Sequence, residues 1–351
     1  MIYHKPPEQL EHKSWINKPP LFEENDHYIL DIKKYQSQVD LAIIGQGENS
    51  EHDDILVGLA QGKAKSSPPA LQKTVDKLAE LKRRSPNMST YIDTVIAQIT
   101  MHDKFAIVKP LRFAPVLLVG PPGCGKTYVA AQVAEALGIW HGNINLSLAT
   151  ESFVISGCPK GYSSATPGDV ARRMSKSDCV NPLLILDELD KASFYPAGRP
   201  ALTGPLLQIL EADTAAQFED ACLKCEFDVS HVSWLATAND ISQVPAPVLS
   251  RFHIIHVQEA DKEAKMNQIW WLTCTVVKEM GLAKCVTAEV ARDALHAYLH
   301  LSIREWKMKL QLAIAMKACD SCRGDHIVIR LEDMKPLAHE EKKNHIGFIH
   351  P

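Results

Sequence analysis

At 351 residues the chain is long enough for about two domains plus extensions, and 46% apolar with 23% charged residues suits an ordinary buried core. A net charge of −4 offers no global basic field for nucleic acid, leaving only local patches as candidates. Met1–Pro7 has no apolar signal region and no apolar run nears the ~20 residues of a membrane span, so a cytoplasmic chain with reduced thiols is expected of the nine cysteines.

Residues 1–70 are thin in apolar content and punctuated by Pro6-Pro7, Pro19-Pro20 and Pro68-Pro69. They read as an arm or small adaptor, with 60–69 as a linker. Residues 71–110 read as a helical linker. Leu71, Val75, Leu78 and Leu81 recur at helical spacing, and Tyr91 to Thr100 forms a second helix. Lys82-Arg83-Arg84 is either a solvated helix end or a small nucleic-acid contact.

Residues 111–260 read as an α/β core. Val116–Val119, Leu183–Leu186, Trp234–Asn239 and Ile254–Val257 read as short, largely apolar strands, and Asn143–Leu146 as a further short strand. Unbroken apolar runs mark strands covered on both faces of a parallel sheet, whose carboxyl ends hold ligands. Residues 261–335 turn helical, with Thr287 and Ser302 as N-caps, a Ser302–Glu305 capping box and a short strand at His326–Arg330. Residues 336–351 are a tail.

The chemistry begins at Gly120-Pro121-Pro122-Gly123-Cys124-Gly125-Lys126-Thr127, between a strand and a helix. Glycines let successive N–H groups turn toward one point, where the helix N-terminus adds partial positive charge. In that setting Lys126 reaches the β- and γ-phosphates of ATP and the Thr127 hydroxyl ligates Mg²⁺. A chance glycine-rich turn is the plain alternative. Asp187-Glu188 closes the next apolar strand, with Asp187 on Mg²⁺ and Glu188 as the base that polarises water. Otherwise the two carboxylates cap the next helix. Asn239, at a third strand end, is placed to orient that water. Arg251 lies just before the last strand, where it reaches a neighbouring subunit's nucleotide as an arginine finger or makes a surface ion pair.

Residues from about Leu78 to Leu337 resemble the AAA+ ATPase module of Lon proteases. The resemblance rests on GPPGCGKT, LLILDELDK, LLQILEAD, FEDACLKCEFDVSHV, LATAND, VPAPVLSRFHIIHV, SIREWKMKLQLAIAMKA and HIVIRLEDM. It implies a Rossmann-like αβα core with a parallel sheet, a C-terminal helical lid, an N-terminal extension, and a homo-oligomer, usually a hexameric ring. It makes Asn239 the first sensor and Arg304, in the first turn of a lid helix, the second. It also implies that Tyr162, in Gly161–Gly168, grips a polypeptide substrate, although Ser163 stands where the family has an aliphatic residue. Tyr162 packed as a loop anchor is the alternative. A second pore-facing loop includes Phe194–Pro200. The family's protease domain has no counterpart after residue 335, so no peptide cleavage is expected.

The function expected is a Mg-ATP hydrolase that unfolds or remodels a protein. A nucleotide-switched scaffold that recruits a partner effector, or a nucleic-acid motor of a defence system, remains the alternative. The pairs Cys222/Cys225 and Cys319/Cys322 read as buried or idle thiols rather than a zinc site, which needs four converging ligands.

Overall fold

The computed structural model describes residues 27–43, 50–64, 68–147, 152–161, 165–194, 201–320 and 322–334. The chain divides after Glu259 into two compact units.

The first unit opens with β1 (His27–Tyr28), α1 (Ile32–Ile43), α2 (Ser50–Ala60) and β2 (Gly62–Lys63), and β1 pairs antiparallel with β2. The stretch expected as an arm or small adaptor packs on the sheet. Ile29, Leu30, Val39, Ile55, Leu56 and Leu59 are buried in the same core as the central sheet. The few apolar residues here are spaced to make one helix face, which total apolar content does not register. The expected linker is ordered at its start, where Ala64 forms a parallel bridge with Cys179.

Next come α3 (Leu71–Arg84) and α4 (Ser89–Lys104), joined by a short 3-10 turn at Pro86–Met88. Lys82 pairs with Asp93, while Arg83 and Arg84 share Glu80, so this basic triplet is a helix end whose charge is largely paired. The core elements follow as β3 (Val116–Val119), α5 (Lys126–Leu137), β4 (His141–Asn145), α6 (Phe153–Ser156), α7 (Asp169–Lys176) and β5 (Leu183–Asp187). Then come α8 (Thr203–Leu210), α9 (Ala212–Ala215), a hairpin of β6 (Phe218–Asp220) and β7 (Cys225–Phe227), β8 (Ser233–Ala238), α10 (Ala246–Leu249) and β9 (His253–His256).

The sheet order is β4-β5-β8-β3-β9, and every pairing is parallel. This is the expected α/β fold. Successive strand residues point to opposite faces. Leu117, Val119, Leu184, Leu186, Trp234 and Ala236 enter the core on one face, with α2, α7 and α8. Val116, Leu118, Leu183, Ile185 and Leu235 enter the core on the other, with α3, α4 and α5. Each fully buried Leu or Ile contributes roughly 1.5–3 kcal/mol. The register aligns Val119 with Ala238 and with His256, so three strands end at one level.

The second unit holds α11 (Lys262–Glu279), β10 (Thr287–Val290), α12 (Arg292–Tyr298), α13 (Ile303–Cys319) and β11 (His326–Ile329). Asp261 caps α11 by accepting from the Ala264 N–H, and Ser302 and Glu305 form the capping box of α13. Thr287 is not an N-cap. It begins β10, which pairs in parallel with β11 through Thr287 and His326. Trp306, Leu310, Ile314, Ile327 and Ile329 form this unit's core. Among the described residues, no helix is long and apolar enough to cross a membrane.

Candidate functional site

The site begins where β3 ends. A Cβ on Gly120 would lie 2.2 Å from the Val257 carbonyl oxygen, so the loop can pass β9 only as glycine. Gly123 and Gly125 have φ of 77° and 94°, the left-handed region that side chains disfavour. The loop then feeds α5, whose first-turn N–H groups lack partners within the helix. Loop and helix together form an anion cradle.

Lys126 is the first residue of α5 and only 8% exposed. Its ammonium donates to the carbonyls of Gly120 (2.7 Å) and Pro121 (3.0 Å) and to Asn239 Oδ1 (3.1 Å). The Thr127 hydroxyl donates to Asp187 Oδ1 at 3.0 Å. Thr237 Oγ1 donates to the same carboxylate oxygen at 2.5 Å and accepts from the Glu188 N–H at 3.1 Å. The phosphate loop, the end of β5 and the end of β8 are thus one connected group.

Glu188 follows β5 with φ 59° and ψ 48°, a left-handed conformation uncommon for residues other than glycine. Such strain gathers at functional positions and costs of order 1–3 kcal/mol. Burial pushes the Cys124 thiol above its ordinary range, although the Lys126 ammonium opposes the shift.

Arg251 makes its contacts outside this group. Arg251 pairs with Glu211 through Nε at 2.8 Å and through Nη2, and its Nη1 donates to the Pro247 carbonyl and to Ser250 Oγ. Arg304 is exposed in the first turn of α13, in the second unit. Tyr162 lies outside the described residues, as do 195–200. Phe194 is 4% exposed and belongs to the sheet core, which corrects its assignment to a pore-facing loop.

Two contributors escaped the sequence reading. Asn87, in the turn between α3 and α4, donates through Nδ2 to the carbonyls of Cys124 and Gln258, both at 3.2 Å. It ties the helical linker to the phosphate loop. Its signal was the Ser85-Pro86-Asn87 turn, which marks a bend without saying what it touches. Thr237 is the other, hidden because it reads as an ordinary strand residue.

The cysteines divide by burial. Cys222 lies in the hairpin turn rather than in a strand, with its sulfur 3.8 Å from His52 Nε2, and Cys225 is buried at the start of β7. Cys319 and Cys322 are exposed. Among the described residues no group of three or more His, Cys, Asp or Glu is arranged to hold a metal ion.

The residues fit Mg-ATP by the chemistry of the donor set. A nest of N–H groups and an ammonium suit phosphate oxygens, while a hydroxyl and a carboxylate 3.0 Å apart suit a hard cation.

Residues 116–259 match the model of the ATPase family associated with various cellular activities (AAA). The chain carries an AAA ATPase domain. Its relatives include the Lon protease of Methanosarcina barkeri, 33% identical over 196 residues, which are 56% of this chain and 24% of the relative. The Lon protease of Neorickettsia sennetsu is 31% identical over 243 residues, 67% of this chain and 29% of the relative. That of Brevibacillus choshinensis is 27% identical over 300 residues, 74% and 38%. The chain thus spans between a quarter and two fifths of the length of these relatives. The match to the AAA ATPase family supports nucleotide binding and ATP hydrolysis.

Proposed function

We propose that this AAA ATPase is a Mg-ATP hydrolase that works as a ring of identical subunits, a hexamer, to unfold or remodel a protein. The observation that carries the reading is the single connected group of Lys126, Asn239, Thr127, Asp187, Thr237 and Glu188 at three strand ends.

Bound Mg²⁺ supplies charge neutralisation on the transferring phosphoryl group. Gly120 through Gly125 bind the phosphates by backbone N–H groups, and Lys126 exchanges its carbonyl partners for phosphate oxygens. Thr127 and Asp187 hold the cation. Glu188 accepts the proton of the attacking water, and Asn239 orients that water. Arg251 leaves Glu211 and enters the neighbour's site, where it stabilises transition-state charge. Arg304 senses the nucleotide from the helical unit. Tyr162 grips an extended polypeptide. The nine thiols are all free, which suits a reducing compartment, and the cytoplasm is the proposed location.

The test is phosphate release by the purified chain across a range of protein concentrations, with and without Mg²⁺ and with an unfolded polypeptide. The reading expects Mg²⁺-dependent turnover per subunit that rises with concentration and is stimulated by polypeptide. Turnover per subunit independent of concentration would remove the shared site, and absent stimulation would favour a nucleotide-switched scaffold.

A further inference from the structure

Between α6 and α7, the described residues on either side of 162–164 meet in a tight neck. The Cys158 N–H donates to the Thr166 carbonyl at 2.8 Å. A Cβ on Gly168 would lie 2.3 Å from the Ile155 carbonyl oxygen and 2.6 Å from the Gly157 nitrogen, so the two strands of the neck touch backbone to backbone. Gly157 has φ +78°, and a Cβ there would lie 2.6 Å from Asp220 Oδ1.

Asp220 closes this neck from the hairpin. It is fully buried, and its carboxylate accepts the N–H of Gly168 (2.8 Å) and those of Cys222 (3.0 Å) and Leu223 (2.9 Å) in the hairpin turn. Alongside, the Ala221 N–H donates to the Ser156 carbonyl at 2.8 Å. One anion therefore fastens the exit of the neck to the β6–β7 hairpin.

Residues 29–43 and 50–64, which precede the AAA match, grip both walls of this assembly. On the hairpin side, Leu30 bridges Phe227, the Asp228 N–H donates to the Ile29 carbonyl at 2.8 Å, Lys34 pairs with Glu226, and the Tyr35 hydroxyl accepts the Glu226 N–H at 3.0 Å. On the α7 side, Glu51 pairs with Arg172, whose Nε holds the Pro167 carbonyl at 3.0 Å within the neck itself. Gly58 lets α2 press on α7, where a Cβ would lie 2.7 Å from the Ser175 carbonyl oxygen. Lys63, only 4% exposed, donates to the carbonyls of Ser177 (2.6 Å) and Ser175 (3.4 Å), a cation at the helix C-terminus.

We infer that residues 29–43 and 50–64 are a brace for the neck, with Asp220 and Lys63 as positioning residues that fix the described ends flanking Tyr162. The inference rests on the polypeptide-gripping role proposed for Tyr162, and it adds what anchors the chain on either side of it. Buried charged groups that each hold several backbone partners over-determine the backbone they hold. A pull on the N-terminal segment would thereby reach the neck through α7.

The experiment uses the full chain and the variants Asp220→Asn, Lys63→Met and Glu51→Gln. Asn keeps the size of Asp but presents an amide N–H₂ where the carboxylate accepted bonds. Hydrogen exchange at the Gly168 amide and through α7 should quicken at least about tenfold in Asp220→Asn and Lys63→Met, as expected when a charge-assisted bond is lost. Exchange in β3 and α5 should stay unchanged. ATP turnover without polypeptide should also stay unchanged, while stimulation by reduced, carboxymethylated lactalbumin is lost. Unchanged exchange at Gly168 in Asp220→Asn overturns the inference, as does quickened exchange with full stimulation. Should the buried variants not fold, Glu51→Gln decides on its own. Faster exchange at Arg172 to Ser175 upholds the brace, and wild-type exchange there overturns it. A wild-type protein without stimulation removes the gripping role alone, since the exchange arm still tests the brace.

Discussion

Lys126 and Asn239 share a 3.1 Å hydrogen bond across the carboxyl ends of two neighbouring strands, β3 and β8. The ammonium is held by three oxygen acceptors, all of which phosphate oxygens can replace. On the proposed roles, releasing Lys126 would free Asn239 to meet the attacking water. Lys126→Ala is expected to abolish ATP binding, measured by titration with a fluorescent ATP analogue. Asn239→Ala should bind ATP within a fewfold of wild type while turnover falls by about a hundredfold or more, the scale of a lost water-positioning group. Equal loss of binding in both variants would contradict the separate roles.

Asp187 has two hydroxyl donors, Thr127 and Thr237, on the same oxygen. Thr237 also accepts the Glu188 N–H and so fixes the turn that carries Glu188, the proposed base. Glu188→Gln should retain ATP and lose hydrolysis by about a hundredfold or more, the usual range for a missing general base. Thr237→Val should lower turnover with less effect on affinity, because it frees the Glu188 backbone and leaves the cradle intact. Phosphate release and equilibrium binding measured side by side check both expectations.

Asn87 gives a prediction for a residue distant in sequence from the cradle it supports. Its amide serves two carbonyls, Cys124 in the loop and Gln258 beyond β9. Asn87→Ala should destabilise the protein by roughly 1–2 kcal/mol through those two lost bonds. It should also weaken ATP binding with little change in maximal turnover. A changed maximal rate at constant affinity would place Asn87 in the chemistry instead.

The sheet and most of the cradle were legible in the sequence for a physical reason. A parallel strand covered on both faces must be apolar throughout, so Leu183–Leu186 and Trp234–Ala238 announce themselves, and a phosphate loop needs glycine at fixed places. What stayed hidden depends on tertiary partners. Ile55, Leu56 and Leu59 looked too sparse for a core, yet Gly58 brings their helix against α7. Thr287 carries the residue type of an N-cap and lies in a strand, because β11 offers it a partner. Asn87 and Asp220 act by accepting or donating to backbone atoms far along the chain, and no local pattern encodes that.

Burial sets an alkaline limit on stability. Cys225 is fully buried, and its thiol is pushed up to about 12 by desolvation; the buried Tyr91 phenol is shifted upward by the same cause. Both groups are neutral when protonated, and their folded values exceed their unfolded ones. The folded state therefore binds more protons at high pH, so stability is full below about pH 9 and falls as pH rises above it. Urea unfolding at pH 8, 9, 10 and 11 should show the midpoint dropping steadily above pH 9. Thiol alkylation at pH 8 should label the exposed Cys274, Cys319 and Cys322 first, with Cys222 and Cys225 reacting only on unfolding.

Arg251 decides whether the site is shared. In the single chain its guanidinium is paired with Glu211 and bonded to the end of α10. If it acts on a neighbour, a subunit carrying Lys126→Ala still offers a sound arginine, and a subunit carrying Arg251→Ala still offers a sound cradle. Each variant alone should be inactive, with Arg251→Ala retaining ATP binding. Mixing the two should restore part of the wild-type rate, because some interfaces then pair the sound cradle with the sound arginine. Glu211→Gln should release Arg251 from its ion pair and lower the protein concentration needed for half-maximal turnover. A mixture as inactive as its components, under conditions where the subunits exchange, would assign Arg251 to the surface ion pair alone.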